Sequence, residues 1–167
     1  MAAKFEEIIP LLVRHEIQFI LIGGVAAIAH GSARATFAVD IVYSRTEQNI
    51  RKLLEAIRPL NPYLRGAPPA LPFVWDDRTV RNGLNFTLTT SLGDLDLLGE
   101  VAGGGSYEQL LPYCDMMTLY GSPLYVVRLE RLIQLKRAAG RPKDLEAIAE
   151  LQALLEERAN SKGQEPA

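Results

Sequence analysis

Apolar residues recur at helical spacing over Phe5, Ile8, Ile9, Leu12 and Val13, which predicts an amphipathic helix ending near His15. The unbroken apolar run Phe19–Ile22 reads as a buried strand that stops at Gly23-Gly24, with a short apolar helix over residues 25–30. A second strand is expected over 39–43. Ser44 followed by Glu47 makes a capping-box pattern, predicting a helix that runs to about Ile57. Residues 59–72 hold five prolines and Gly66, so a loop with little regular structure is expected, either contacting substrate or loosely held. Strands follow at 85–90 and 94–98, joined near Gly93. Gly103-Gly104-Gly105 marks a turn, and Ser106 with Gln109 caps another helix. A hairpin is expected from 116–120 and 124–127, then two helices at 129–139 and 143–158. Strands and helices interleave, which predicts an α/β (α+β) fold: a mixed β-sheet flanked by helices, with a helical C-terminal portion. Residues 1–159 read as one domain, and 160–167 as a polar tail that frays.

Bulk properties narrow the class only slightly. The chain has 167 residues, one domain by the usual size prior, and 48 % hydrophobic content. A formal charge of −2 excludes a globally basic nucleic-acid coat but permits a local basic groove, because Lys and Arg cluster. Cys114 is the lone cysteine, so neither a disulfide framework nor a zinc cluster is expected, and a reducing cytoplasm fits. The acidic start, Ala2-Ala3-Lys4-Phe5-Glu6-Glu7, does not read as a signal peptide, and no apolar run approaches the roughly 20 residues of a membrane span.

Chemistry concentrates in four places. Gly23-Gly24 lies at a strand-to-helix turn, where glycine either lets phosphate oxygens approach backbone N–H groups or serves a tight turn. Asp40 lies within an otherwise apolar strand, where a carboxylate needs a metal or a basic partner. Position 38 shares its strand face and carries alanine. Asp94 and Asp96 likewise share one face of a later strand, with Asp94 reading as a solvated turn acid. Between the glycines and Asp40, Arg34 can either grip triphosphate oxygens or form a structural ion pair. The Ser32 and Thr36 hydroxyls can add hydrogen bonds there, while His30 reads as a helix-ending residue. Finally, Gly140 ends one helix and Pro142 opens the next, gathering Lys136, Arg137, Arg141, Lys143 and Asp144 at one corner.

The order Gly-Gly, helix, acid-bearing strand resembles the signature of the polymerase β-like nucleotidyltransferase superfamily, in which Gly-Gly or Gly-Ser precedes Asp-x-Asp. The block from Lys136 to Asp144 resembles the Lys-x-x-Ala-x-Arg-x-Lys/Arg-Asp motif of the AbiEii and MenT toxin nucleotidyltransferases. The resemblance spans residues 19–151. It implies a nucleotidyltransferase fold that uses Mg²⁺ to move a nucleoside monophosphate from an NTP to a hydroxyl. By the same resemblance Asp40 and Asp96 are the metal ligands, and Gly23, Gly24 and Lys136 hold the triphosphate, with Arg141 beside them. Asp144 would position or deprotonate the attacking hydroxyl. The implied acceptor is the tRNA 3′ end, and the implied partner is an antitoxin protein.

Ala38 stands where that signature has its first aspartate, so impaired or absent transfer is expected. It is either an introduced substitution or the natural residue of a member that only binds nucleotide or protein. A small-molecule nucleotidyltransferase that modifies an antibiotic hydroxyl is the remaining alternative. The cluster Lys136, Arg137, Arg141 and Lys143 favours an extended polyanion as acceptor, with Arg65 on the proline-rich loop as a further phosphate contact.

Overall fold

The structure, a computed structural model, describes residues 2–163. Helix α1 (Phe5–Arg14) leads into β1 (Phe19–Ile22), and α2 (Gly23–Ala29) starts at the glycine pair itself, two residues earlier than the apolar pattern implied. Strand β2 (Ala38–Tyr43) is followed by α3 (Glu47–Ile57). The cap of α3 is not Ser44: the Thr46 side chain accepts from the Asn49 amide, and Thr46 has the extended backbone a cap requires. Ser44 is fully buried, and its hydroxyl donates to Glu108 instead.

The proline-rich stretch is not structureless. It contains a short edge strand, β3 (Tyr63–Leu64), and it is pinned from several sides. The Tyr63 hydroxyl donates to the Pro68 and Leu71 carbonyls, and the ring packs edge-on against Phe73. Trp75 is buried and donates to the Leu54 carbonyl. Helix α4 (Asp77–Asn82), capped by Asp76, was not legible in the hydrophobic pattern. Strands β4 (Asn85–Thr90) and β5 (Gly93–Leu98) precede a two-stranded ribbon, β6 (Glu100–Val101) with β7 (Gly105–Ser106). Ser106 and Gln109 form the expected capping box of α5 (Tyr107–Leu110).

The hairpin is longer than expected, pairing β8 (Cys114–Leu119) with β9 (Ser122–Val127) around Tyr120-Gly121, both at positive φ. Pro123 is accommodated because it pairs only with β8; β1 meets β9 further along, at Tyr125 and Val126. Helices α6 (Leu129–Ala139) and α7 (Pro142–Gly163) complete the chain, with Gly140 in the left-handed conformation that ends α6. Residues 160–163 continue α7, so the tail does not begin at 160; residues 164–167 lie outside the described residues.

Seven strands form one mixed sheet in the order β3-β4-β5-β2-β1-β9-β8. β1 runs antiparallel to β2 and parallel to β9, and β2 runs parallel to β5. Helix α1 packs on β9 and α3, α2 packs on β1, β2 and α6, and α6 packs along α7. The fold class is therefore a mixed sheet flanked by helices. Along β2 and β5, Val39, Ile41, Leu95 and Leu97 are fully buried on one side, which leaves the alternate positions for the other. Among the described residues, no helix is long and apolar enough to cross a membrane.

Candidate functional site

The parallel register of β2 and β5 sets Asp40 directly beside Asp96 and Ala38 beside Asp94. Antiparallel β4 extends the same rows, with Thr87 beside Asp96 and Thr89 beside Asp94. One sheet face thus carries three carboxylates, and alanine occupies the place where a fourth would complete a square.

Gly23 and Gly24 border this face, and sterics explain both. A Cβ on Gly23 would overlap the Asp40 Oδ2 atom, and one on Gly24 would overlap the Thr36 hydroxyl. Gly23 also sits at φ +68, a conformation that glycine adopts most readily. Packing requires the glycine pair whether or not phosphate approaches it.

Burial, followed by repulsion from Asp96, pushes the Asp40 carboxyl up to about 7, while Lys136 and Lys143 pull the other way. Its Oδ1 atom is shut off from solvent with no hydrogen-bond partner among the described residues. An acidic oxygen so placed suits a cation. The other acids have found one. Arg65 follows β3, and its amide donates to the Thr87 carbonyl. Its side chain reaches across β4, where Nη2 donates to the Leu88 carbonyl at 2.8 Å and to Asp96 Oδ1 at 2.6 Å. Its Nε lies 3.2 Å from Asp94 Oδ2, near enough for an ion pair but not aligned for a hydrogen bond. Two sequence-based readings are corrected here. Asp94 is a paired acid rather than a solvated one, and Arg65 is committed to carboxylates rather than offered to RNA phosphates. Sequence distance hid the pair: about 30 residues and an intervening strand separate Arg65 from Asp96.

The helix corner faces the same acids. Asp144 is buried, and Arg141 grips it through Nε at 2.7 Å, Nη2 at 3.2 Å and its own amide at 3.2 Å. Burial pushes the Asp144 carboxyl up, but the Arg141 hydrogen bonds and charge, with help from Lys136, outweigh it and hold it below the usual range. Lys136 Nζ lies 3.9 Å from Asp144, and burial lowers its pKa against the pull of Asp144 and Asp40. A carboxylate enclosed by these donors is poorly placed to take a proton from a hydroxyl. The arrangement suits Asp144 to positioning Arg141 and Lys136.

Ser32 does not open toward the acids. Its hydroxyl donates to Glu150 on α7 at 2.5 Å and accepts from the Arg34 amide. Arg34 takes the structural option, pairing with Glu146 at 3.5 Å with both groups well exposed. Thr36 lies against Gly24 at the site's border. His30 ends α2 as expected, its Nε2 lying 2.7 Å from the Val127 carbonyl. A cleft of about 320 Å³ lined by His30, Arg128, Glu130 and Arg158 holds none of the site acids.

Among the described residues, no three or more His, Cys, Asp or Glu side chains gather as a metal-holding group. Asp40, with its unpartnered Oδ1, and the Asp96 oxygen that Arg65 does not contact, Oδ2, fit one divalent cation. They do not fit two, because Ala38 offers no ligand and Asp94 is engaged by Arg65.

No family model and no curated protein matches the chain. Among solved structures, it is similar to the antibiotic-resistance factor ANT(2'')-Ia, whose solution structure is described as revealing substrate-regulated conformation dynamics. The two share 12 % identity over 93 % of this chain and 91 % of that one, with a TM-score of 0.48. A likeness that remote says nothing of substrate, and function has to be read from the residues.

Proposed function

We propose that this chain is a nucleotidyltransferase-type protein of the cytoplasm that binds a nucleoside triphosphate on its acid face. The reaction moves a nucleoside monophosphate to a hydroxyl, with pyrophosphate leaving. The observation that carries this reading is the Asp40–Asp96 register pair, with a buried, unpartnered Asp40 oxygen and Lys136 acting on the same carboxylate. Asp40 and Asp96 would hold Mg²⁺, which when bound neutralises phosphate charge and polarises the bond being broken. Lys136, partly withdrawn from water, supplies a cation for the triphosphate, and Asp144 holds Lys136 and Arg141 in place. Arg137, Arg141 and Lys143 are exposed at that corner and suit a polyanionic acceptor. By its resemblance to toxin motifs, that acceptor is the tRNA 3′ end, with an antitoxin protein as partner.

Ala38 and the Arg65 ion pairs favour a second reading, nucleotide binding without turnover. One experiment separates the two. Native chain and Ala38→Asp are compared for NTP binding by calorimetry and for transfer of labelled NTP to tRNA. Labelling by Ala38→Asp supports the transferase reading. Binding without labelling in both proteins moves the chain to the binding-only reading. No NTP binding in either defeats both.

A further inference from the structure

Arg65 is not placed like a surface arginine that happens to meet an acid. The β3–β4 alignment carries on one residue past β3, so Arg65 lies beside Thr87 in line with the row that Thr87, Asp96 and Asp40 form across three strands. The Tyr63 hydroxyl bonds to Pro68 and Leu71 hold the loop that presents it, and the Leu88 carbonyl fixes its Nη2. The guanidinium then contacts two carboxylates at once, at 3.2 and 2.6 Å, with its side chain only 31 % exposed. Three anchors, on backbone and on two acids, fix one positive charge between Asp94 and Asp96. Asp94 in turn is the register partner of Ala38, the position where the face lacks a carboxylate.

We propose that Arg65 is a tethered cation that fills one of two cation positions on this face, leaving room for a single divalent ion at Asp40. Its guanidinium pairs with Asp94 Oδ2 and Asp96 Oδ1 as a bound ion would, leaving Asp96 Oδ2 to the ion at Asp40, but it is part of the chain and cannot be chelated away. Arg65 is thus a positioning residue that sets how many ions the face accepts. The inference deepens the proposed site and rests on that reading for its nucleotide.

The test counts Mn²⁺ bound per chain, from the loss of the free-ion resonance on titration, without nucleotide. Arg65→Gln frees Asp94 and Asp96, and it is expected to bind one more Mn²⁺ per chain than the native protein. Arg65→Lys, which keeps a cation, and Lys143→Gln, which removes a nearby charge that touches neither acid, are expected to gain none. An unchanged count in Arg65→Gln overturns the proposal, as does an equal gain in Lys143→Gln. Should Arg65→Gln lose its fold through uncompensated acids, Mn²⁺ must restore its circular dichroism, and failure to do so overturns the proposal equally. Because no NTP is present, an absence of NTP binding defeats the proposed function without altering this count.

Discussion

The Asp40 carboxylate lies where a side chain on Gly23 would have to be, so the first residue of α2 and the central acid of β2 are sterically interlocked. Gly23 also holds φ +68. Gly23→Ala therefore combines left-handed backbone strain with overpacking, and it is expected to lower stability by roughly 2–4 kcal/mol. Denaturant melts check this, and an unchanged midpoint would show that Asp40 moves aside freely.

The raised Asp40 value gives stability a pH dependence with a definite sign. In chelator the folded chain keeps a proton up to about pH 7, whereas the unfolded chain releases it near its ordinary value of 3.8. Between those limits the folded state binds more protons, so this group's contribution to stability falls as pH rises. Burial of His30 lowers its value and acts in the opposite sense below about 6.5. The measurement is therefore the difference between native and Asp40→Asn melts, which cancels His30. The native protein should lose stability relative to Asp40→Asn from pH 5 to 8. A flat difference would sink the assignment.

Lys136 should matter to nucleotide even where transfer is blocked. Lys136→Ala is expected to weaken NTP binding by about 1–3 kcal/mol, the scale of a charge-assisted bond. Equal affinities in calorimetry would leave Lys136 only the role of a partner to Asp144.

Acceptor binding should depend on salt. Arg137 and Lys143 are exposed beside the site and, unlike Arg141, are not bonded to Asp144. Neutralising both should reduce the logarithmic salt slope of tRNA binding by about 1.5–2, with NTP affinity nearly unchanged. Salt-independent acceptor binding would favour a small neutral or cationic acceptor.

The sheet and its helices were legible because period-2 and period-3.6 patterns are local. Val39 and Ile41, Leu95 and Leu97 declared which strand face is buried, and so placed Asp40 and Asp96 on the other. What the sequence concealed was non-local. Nothing near Arg65 signals its acids, since the contact depends on β3 joining β4 and β4 joining β5. Likewise Ser32 has no neighbour in sequence that reveals Glu150, 118 residues away. Helix α4 and strand β3 are too short to carry a periodic signal. The cap of α3 differs from the expected Ser44 for another reason: the Ser44 hydroxyl is buried and donates to Glu108, and Thr46 caps the helix instead.

Strand β1 lies between β2 and β9, yet it is made early and its second neighbour late. It ends at Ile22, and β9 begins about 100 residues further on, at Ser122. At synthesis rates of about 5–20 residues per second, the apolar edge Phe-Ile-Leu-Ile waits roughly 5–20 seconds for that partner on the ribosome. Until the hairpin of β8 and β9 emerges, the nascent chain carries an unpaired sticky edge at what becomes the middle of its sheet. Chains cut short before residue 122 leave that edge without its partner and are expected to aggregate rather than fold.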